Sequence, residues 1–245
     1  MMLYSNPKCY AQEQQNCSPE ISKEHFISKA ILSKLGSTLT LFGTPHRPPN
    51  IPLITSPANL ASNILCKRHN SLLSKLDATA LDLFNVLEKF TNRSKETPNQ
   101  TITGQHLETW FLKVLCGLLA SSNVRSKFGY PLKNTKLPKK WVDILFTHKN
   151  FPERAGLYCF LPKNPPIDPI HITIKTRGAG NPYGISMILF GLGFHVSTVP
   201  VNLKETPGDV VNIWYRPRGF KFDTGEVIID WGDLKVKDQI IQITN

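Results

Sequence analysis

An α+β fold is what this sequence predicts: an N-terminal segment bearing cysteine and histidine, then helices, then a mostly antiparallel β region. Three observations carry that expectation. Between residues 70 and 121 apolar residues recur at spacings of three and four, the period of an amphipathic helix. From residue 141 onward, short apolar and aromatic runs are punctuated by Gly, Pro and Asn, the pattern of strands joined by turns. Three of the five cysteines, with three of the seven histidines, fall within the first 69 residues.

The elements follow in order. A short helix is expected over residues 28–35, stopped by Gly36. Residues 38–42 alternate as a strand does, and a proline-rich loop follows (Pro45, Pro48, Pro49, Pro52). Ser56-Pro57 reads as an N-cap with proline at the first helical position. A long helix is expected over 70–90, with Leu72, Leu73, Leu76, Ala80, Leu83, Phe84, Leu87 and Phe90 on its apolar face. A second is expected over 105–121, striped by Leu107, Trp110, Phe111, Val114, Leu115, Leu118 and Leu119, with Cys116 as a buried thiol. Strands are expected at 141–147, 156–161, 170–176, 185–190, 210–215, 226–230 and 239–243. His171 and His195 lie in these strands and read as packed or exposed rather than catalytic. The implied division is a module over 1–91, a helix with a basic connection over 92–140, and a mostly β domain over 141–245.

The net charge of +11 is unevenly placed. Residues 1–90 hold nine Lys/Arg against six Asp/Glu, 91–150 hold ten against three, and 151–245 hold ten against nine. A localised positive surface suits a phosphate backbone, whose bound counterions it releases. Arg125, Lys127, Lys133, Lys136, Lys139 and Lys140 are the candidate nucleic-acid contacts. Phe128, Tyr130 and Trp141 lie among them, either to stack on bases or to anchor the segment to the core. No run of 18 apolar residues marks a membrane span, and the first 34 residues lack a signal-type apolar stretch. A cytoplasmic location is expected. In a reducing compartment, cysteines point to metal or buried thiols rather than disulfides.

The most specific pattern is Cys66-Lys67-Arg68-His69, a C-x-x-H knuckle ahead of a long helix. Two ligands three apart can grip one metal from a tight turn, and tetrahedral zinc needs four such donors. Cys9 and Cys17 supply the second pair, at a looser C-x7-C spacing. The alternative is a set of small buried thiols. A set closed by four protein ligands would be structural, with no position open to substrate. Between the two pairs stands Glu24-His25, ahead of apolar Phe26-Ile27, in a context that suits a strand end.

Glu24-His25-Phe26-Ile27-Ser28, then Leu65-Cys66-Lys67-Arg68-His69-Asn70, then Leu73-Ser74-Lys75-Leu76-Asp77, together resemble the HNH endonuclease superfamily over residues 8–90. The resemblance implies a zinc-stabilised ββα-metal module cutting phosphodiester bonds, in DNA rather than RNA. It implies His25 as the general base, an imidazole titrating near operating pH. It implies Glu24 and Asn70 as ligands of a catalytic Mg²⁺ or Mn²⁺, and Asn63 or Asn59 as the amide that orients the base. Some relatives in that superfamily serve restriction or anti-phage systems. Three departures stand out: the stretched first cysteine pair, His69 in place of a cysteine, and Asn70 where many members have histidine. Asn70 is also a preferred helix cap. Asp77 reads as a surface or second acid on the same helix face. The alternative function is a degenerate module that binds nucleic acid or protein without cutting.

Overall fold

A computed structural model describes residues 4–41, 48, 51–92, 99–124, 132, 137–147, 149–166, 168–177, 180–201 and 210–243. It is a mixed α+β structure whose described sheet pairings are mostly antiparallel. The chain divides into two compact units. Unit 1 is 1–77, 111–150 and 176–182; unit 2 is 78–110, 151–175 and 183–245.

Unit 1 is built on a two-stranded antiparallel pair, β1 (Ile21–His25) with β4 (Ala61–Cys66). Their register joins Ile21 to Cys66 and His25 to Ala61, with an irregularity between Ser22 and Glu24. The long connection holds α1 (Lys29–Lys34) and a ribbon of β2 (Leu39–Leu41) on β3 (Leu53–Thr55). It also holds a 3-10 turn, Pro57–Asn59, with proline at its start as the sequence implies. α1 matches the helix expected over 28–35, and Gly36 follows it at φ +115°, a conformation that favours glycine.

The helix expected over 70–90 begins earlier and is broken. α2 (Lys67–Leu72) starts directly after β4, and α3 (Ser74–Thr91) follows a turn at Leu73. Hydroxyls at the junction bond backward into the helix, Ser71 to the Lys67 carbonyl at 2.9 Å and Ser74 to the Ser71 carbonyl at 2.9 Å. Such back-bonding competes with the helical ladder and bends it. Cys66, not Asn70, therefore caps the first turn. α4 (Gly104–Ala120) matches the second helix, and its apolar stripe, including Cys116, is buried except for the half-buried Leu118.

The strand expected at 141–147 is α5 (Lys139–Thr147). Its β-branched and aromatic composition favoured a strand, but Trp141, Ile144 and Leu145 bury one helical face together. Pro138 opens the helix by accepting from Trp141 N at 2.9 Å. Asp143 then bonds Lys139 at 2.9 Å, one turn away. No helix among the described residues is long and apolar enough to cross a membrane.

Unit 2 holds most of the remaining sheets, residues 176–182 at the end of β7 and start of β8 being counted in unit 1. β6 (Gly156–Pro162), β7 (Ile170–Arg177), β8 (Asn181–Leu189), β9 (Leu192–Ser197) and β10 (Val210–Tyr215) form one of order β10-β6-β9-β8-β7. β5 (Gln100–Thr103), β11 (Gly219–Phe222), β12 (Gly225–Asp230) and β13 (Ile240–Ile243) form the other, of order β13-β11-β12-β5. β5, β9 and β11 were not expected as strands. Along β6, β9 and β8, Leu157, Cys159, Phe194, Val196, Ile185 and Met187 are fully buried and form the core side.

The opposite side of that sheet carries Tyr158, His195 and Ser186 in register. The Nδ1 of His195 lies 2.9 Å from Ser186 Oγ and 3.1 Å from the Ile185 carbonyl oxygen. Burial lowers its pKa to about 4, helped by nearby Lys175. The folded protein thus resists protonation of His195, and the unfolded chain, titrating near 6.5, does not. Stability conferred by the neutral ring is present above about pH 6.5 and lost as pH falls toward 4, in total about 3 kcal/mol. Denaturant titrations at several pH values should show this slope in the wild type and a flatter one in His195→Gln. Equal slopes would refute the assignment. His171 is exposed, as one of its two expected states.

Candidate metal centre and the Glu24-His25 strand end

The loop ahead of β1 is folded by its own backbone. Asn6 gives its side-chain amide to the Pro19 carbonyl at 2.9 Å and accepts from Lys8 N at 3.1 Å. Cys9 N reaches Asn6 O, and Cys17 N reaches Tyr4 O, each at 2.9 Å. Gln15 and Asn16, at φ 58° and 62°, turn the chain back before Cys17. Tyr10 N bonds the Ile64 carbonyl at 2.9 Å, which ties this loop to β4.

These bonds bring Cys9 and Cys17 to Cys66 and His69, at the junction of β4 and α2. All four are buried, and their donor atoms lie within 4.8 Å of one another. From His69 Nδ1 the sulfurs of Cys66, Cys9 and Cys17 are 3.3, 3.4 and 3.7 Å away. A tetrahedral ion with metal–sulfur bonds of ~2.3 Å and a metal–nitrogen bond of ~2.0 Å requires sulfur–nitrogen edges of ~3.5 Å. The cluster can therefore hold a metal ion such as zinc, on the four residues that the sequence pairs.

The surroundings favour thiolates unevenly. Burial pushes the Cys66 thiol up, but N–H bonds from His69 and Ser18 outweigh it and bring it below the ordinary value. Ser18 N lies 3.4 Å and His69 N 3.5 Å from Cys66 Sγ. Burial raises Cys9 to about 12, so that thiol keeps its proton until a cation replaces it. The His69 ring packs edge-on against Phe146 of α5, centroids 4.9 Å apart. α5 is fixed over the loop by Asp143, which accepts from Gln14, Lys139 and Lys149.

β1 ends on the Glu24-His25 pair. Glu24 is buried, with Oε1 2.8 Å from Lys113 Nζ. Burial raises its carboxyl and Lys113 pulls it back. His25 is half-buried, and its Nε2 is covered and bonds no described residue. Burial, then Lys29 and Lys23, lower the imidazole pKa, so the ring is neutral at pH 7.

The other sequence candidates fall as follows. Asn70 is the fourth residue of α2 and donates to Ser22 Oγ at 2.7 Å. Asn63 is exposed on β4. Asn59 is exposed in the 3-10 turn and donates to Thr55 Oγ1 at 3.1 Å. No hydrogen bond among the described residues joins any of these amides to His25. Lys139 and Lys140 are exposed, but Lys139 is spent partly on Asp143. Arg125, Lys127, Lys133 and Lys136 lie outside the described residues.

A catalytic Mg²⁺ or Mn²⁺ on Glu24 and Asn70 does not fit the structure as folded. Such an ion takes oxygen donors at ~2.1 Å and repels a neighbouring ammonium. Here the Glu24 carboxylate meets an ammonium in the place where the ion would have to sit. Among the described residues, Cys9, Cys17, Cys66 and His69 are the one group of three or more His, Cys, Asp or Glu able to hold a metal. Lys113 is what the sequence reading missed. It sits in an apolar helix run, Trp110-Phe111-Leu112-Lys113-Val114-Leu115, and a charge on the core face of such a stripe is the signal that marks it. No family model, curated protein or solved structure matches this chain.

Proposed function

We propose that the chain is an HNH-type endonuclease hydrolysing phosphodiester bonds in DNA, with His25 as general base. The observation that carries this reading is the mounting of His25. It ends β1; β1 pairs with β4; β4 runs through Cys66 straight into α2, and the Cys/His cluster gathers that junction. This strand–strand–helix order, with the histidine at the strand end, agrees with what the resemblance implies. A neutral imidazole can take a proton from a water admitted to it, and the covered Nε2 of His25 bonds no described residue that would compete for that role. The hydroxide so formed attacks phosphorus, and the leaving oxygen departs with a proton from solvent. Zinc at the cluster would hold the scaffold and take no part in the chemistry. The basic stretch around Lys139 and Lys140 would meet the phosphate backbone.

One observation favours the second reading, a module that binds nucleic acid or protein without cutting. Glu24, the acid assigned to the catalytic ion, is already paired with Lys113. Plasmid DNA incubated with the protein, with Mg²⁺, Mn²⁺ or chelator, separates the two. The nuclease reading expects nicking or linearisation, reduced about 10²–10⁴-fold in His25→Ala. Absence of any cleavage above that variant, on DNA or RNA, would leave the binding reading in place.

A further inference from the structure

Lys113 is 1% exposed, more deeply buried than any other charged residue described. An ammonium there is costly unless it is fully paired. Its partners are four oxygens: Glu24 Oε1 at 2.8 Å, Asp77 Oδ1 at 2.7 Å, Asp77 Oδ2 at 2.9 Å and the His25 carbonyl oxygen at 3.3 Å. The two Asp77 contacts are hydrogen bonds, while Glu24 Oε1 stands at ion-pair distance without accepting one. Two carboxylates and a peptide carbonyl are also the donor set that a hard divalent ion prefers. One turn further along α4 stands Gly117. A β-carbon there would come within 3.1 Å of the Phe26 ring and 3.6 Å of its Cα. α4 therefore grips the segment Glu24-His25-Phe26 at two points four residues apart, on one helix face.

A buried ion pair adds little stability over apolar side chains of the same volume, so burial of Lys113 and Glu24 here, with the partly exposed Asp77 at their edge, asks for another reason. We infer that Lys113 is a positioning residue for His25: its ammonium takes the place between Glu24 and Asp77 that a divalent ion would otherwise fill, and its bond to the His25 carbonyl fixes the strand end that carries the imidazole. The inference rests on the reading of His25 as the base. It gives Glu24 a different task from the one implied by resemblance, holding Lys113 rather than a metal. It also gives Asp77 a task, since that carboxylate accepts twice from the same ammonium.

The test uses the full zinc-loaded chain and nuclear magnetic resonance. In the wild type, millimolar Mn²⁺ should leave the backbone amides of Glu24 and His25 unbroadened. In Lys113→Met that keeps its zinc, the His25 carbonyl and imidazole signals should move, while signals around Cys66 stay in place. Saturable Mn²⁺ broadening centred on Glu24 in the wild type would overturn the inference. So would a folded Lys113→Met in which the His25 signals coincide with wild type. If Lys113→Met does not fold, the wild-type Mn²⁺ titration decides alone. Neither measurement depends on cleavage, so failure of the nuclease reading is seen separately. Where cleavage is found, Lys113→Met should lower kcat roughly 10²-fold with KM nearly unchanged, the cost of a catalytic group displaced by about 1 Å.

Discussion

Stripping the metal from the Cys9–Cys17–Cys66–His69 cluster should unfold the segment it gathers. Four buried donors meet there from two distant stretches of chain, and the Asn6–Cys17 loop adds apolar contact only through Tyr10 against Phe146 and the small side chains of Cys9, Ala11 and Cys17. Structural zinc sites supply on the order of 10–16 kcal/mol in small domains, as much as the ~5–15 kcal/mol that holds a whole domain folded. The purified protein should therefore carry one zinc per chain. Chelation or Cys66→Ser should remove it and abolish the cooperative unfolding of the N-terminal unit, read by circular dichroism and metal analysis. The pH dependence has a fixed sign. Metal binding needs thiolates, and protons compete for them, so zinc is lost as pH falls. Cys9, raised to about 12 by burial, is where a proton competes hardest once the ion is gone. Substoichiometric zinc in the wild type, with equal melting of wild type and Cys66→Ser, would show that the four residues are only packed thiols.

The cluster was legible in the sequence because zinc ligation has a chemical alphabet. Cys66 and His69 announce a knuckle by spacing alone, and Cys9 and Cys17 were the remaining cysteines near enough to join it. Helices α3 and α4 were legible for a different reason, since an apolar stripe at helical period over a dozen residues has few other uses. α5 was not. Its seven residues from Trp141 to Thr147 are too short for periodicity to outweigh β-branched and aromatic composition, and the tie from Asp143 to Gln14 is tertiary. Leu192–Ser197 escaped because glycines at 191 and 193 mimic a turn. The ring of Phe160 lies over Gly193, so no side chain fits that strand position. Lys113 escaped because its meaning depends on Glu24 and Asp77, which lie 89 and 36 residues away in sequence. Pattern reading reaches one element at a time, and a buried charge is explained only by its partners.

Arg216→Met should cost about 3–5 kcal/mol at pH 7, the usual penalty for leaving one member of a buried ion pair uncompensated. Glu108 and Arg216 have side chains only 4% and 8% exposed. Arg216 Nε reaches Glu108 Oε2 at 2.9 Å, and Nη2 reaches Oε1 at 2.8 Å, a two-pronged contact. Leu157 N donates to Oε2 at 2.7 Å, and Arg216 N reaches the Leu157 carbonyl at 3.0 Å. The pair thus clamps the first half of α4 to β6 and to the residue just past β10. Arg216 holds φ 45° to reach it, and its guanidinium lies over the Tyr215 and Trp231 rings. Gly156, at φ +114°, leaves the space, since any side chain there would collide with the Glu108 carboxylate. Burial pushes the Glu108 carboxyl up, and Arg216 and Leu157 pull it down. Without the arginine only burial and one N–H remain, so the carboxyl takes up a proton well above the ~4.3 of the unfolded chain. The folded variant then binds more protons than the unfolded one, and its stability falls as pH rises through that raised value. The deficit relative to wild type should be smaller near pH 4.5 than at pH 7. Arg216→Met combined with Glu108→Gln should recover part of it at pH 7, because no charge is then buried alone. Urea denaturation of the three proteins at both pH values measures this. A deficit below about 1 kcal/mol at pH 7, the scale of an exposed ion pair, would mean that water already reaches the pair and that the clamp is open in solution.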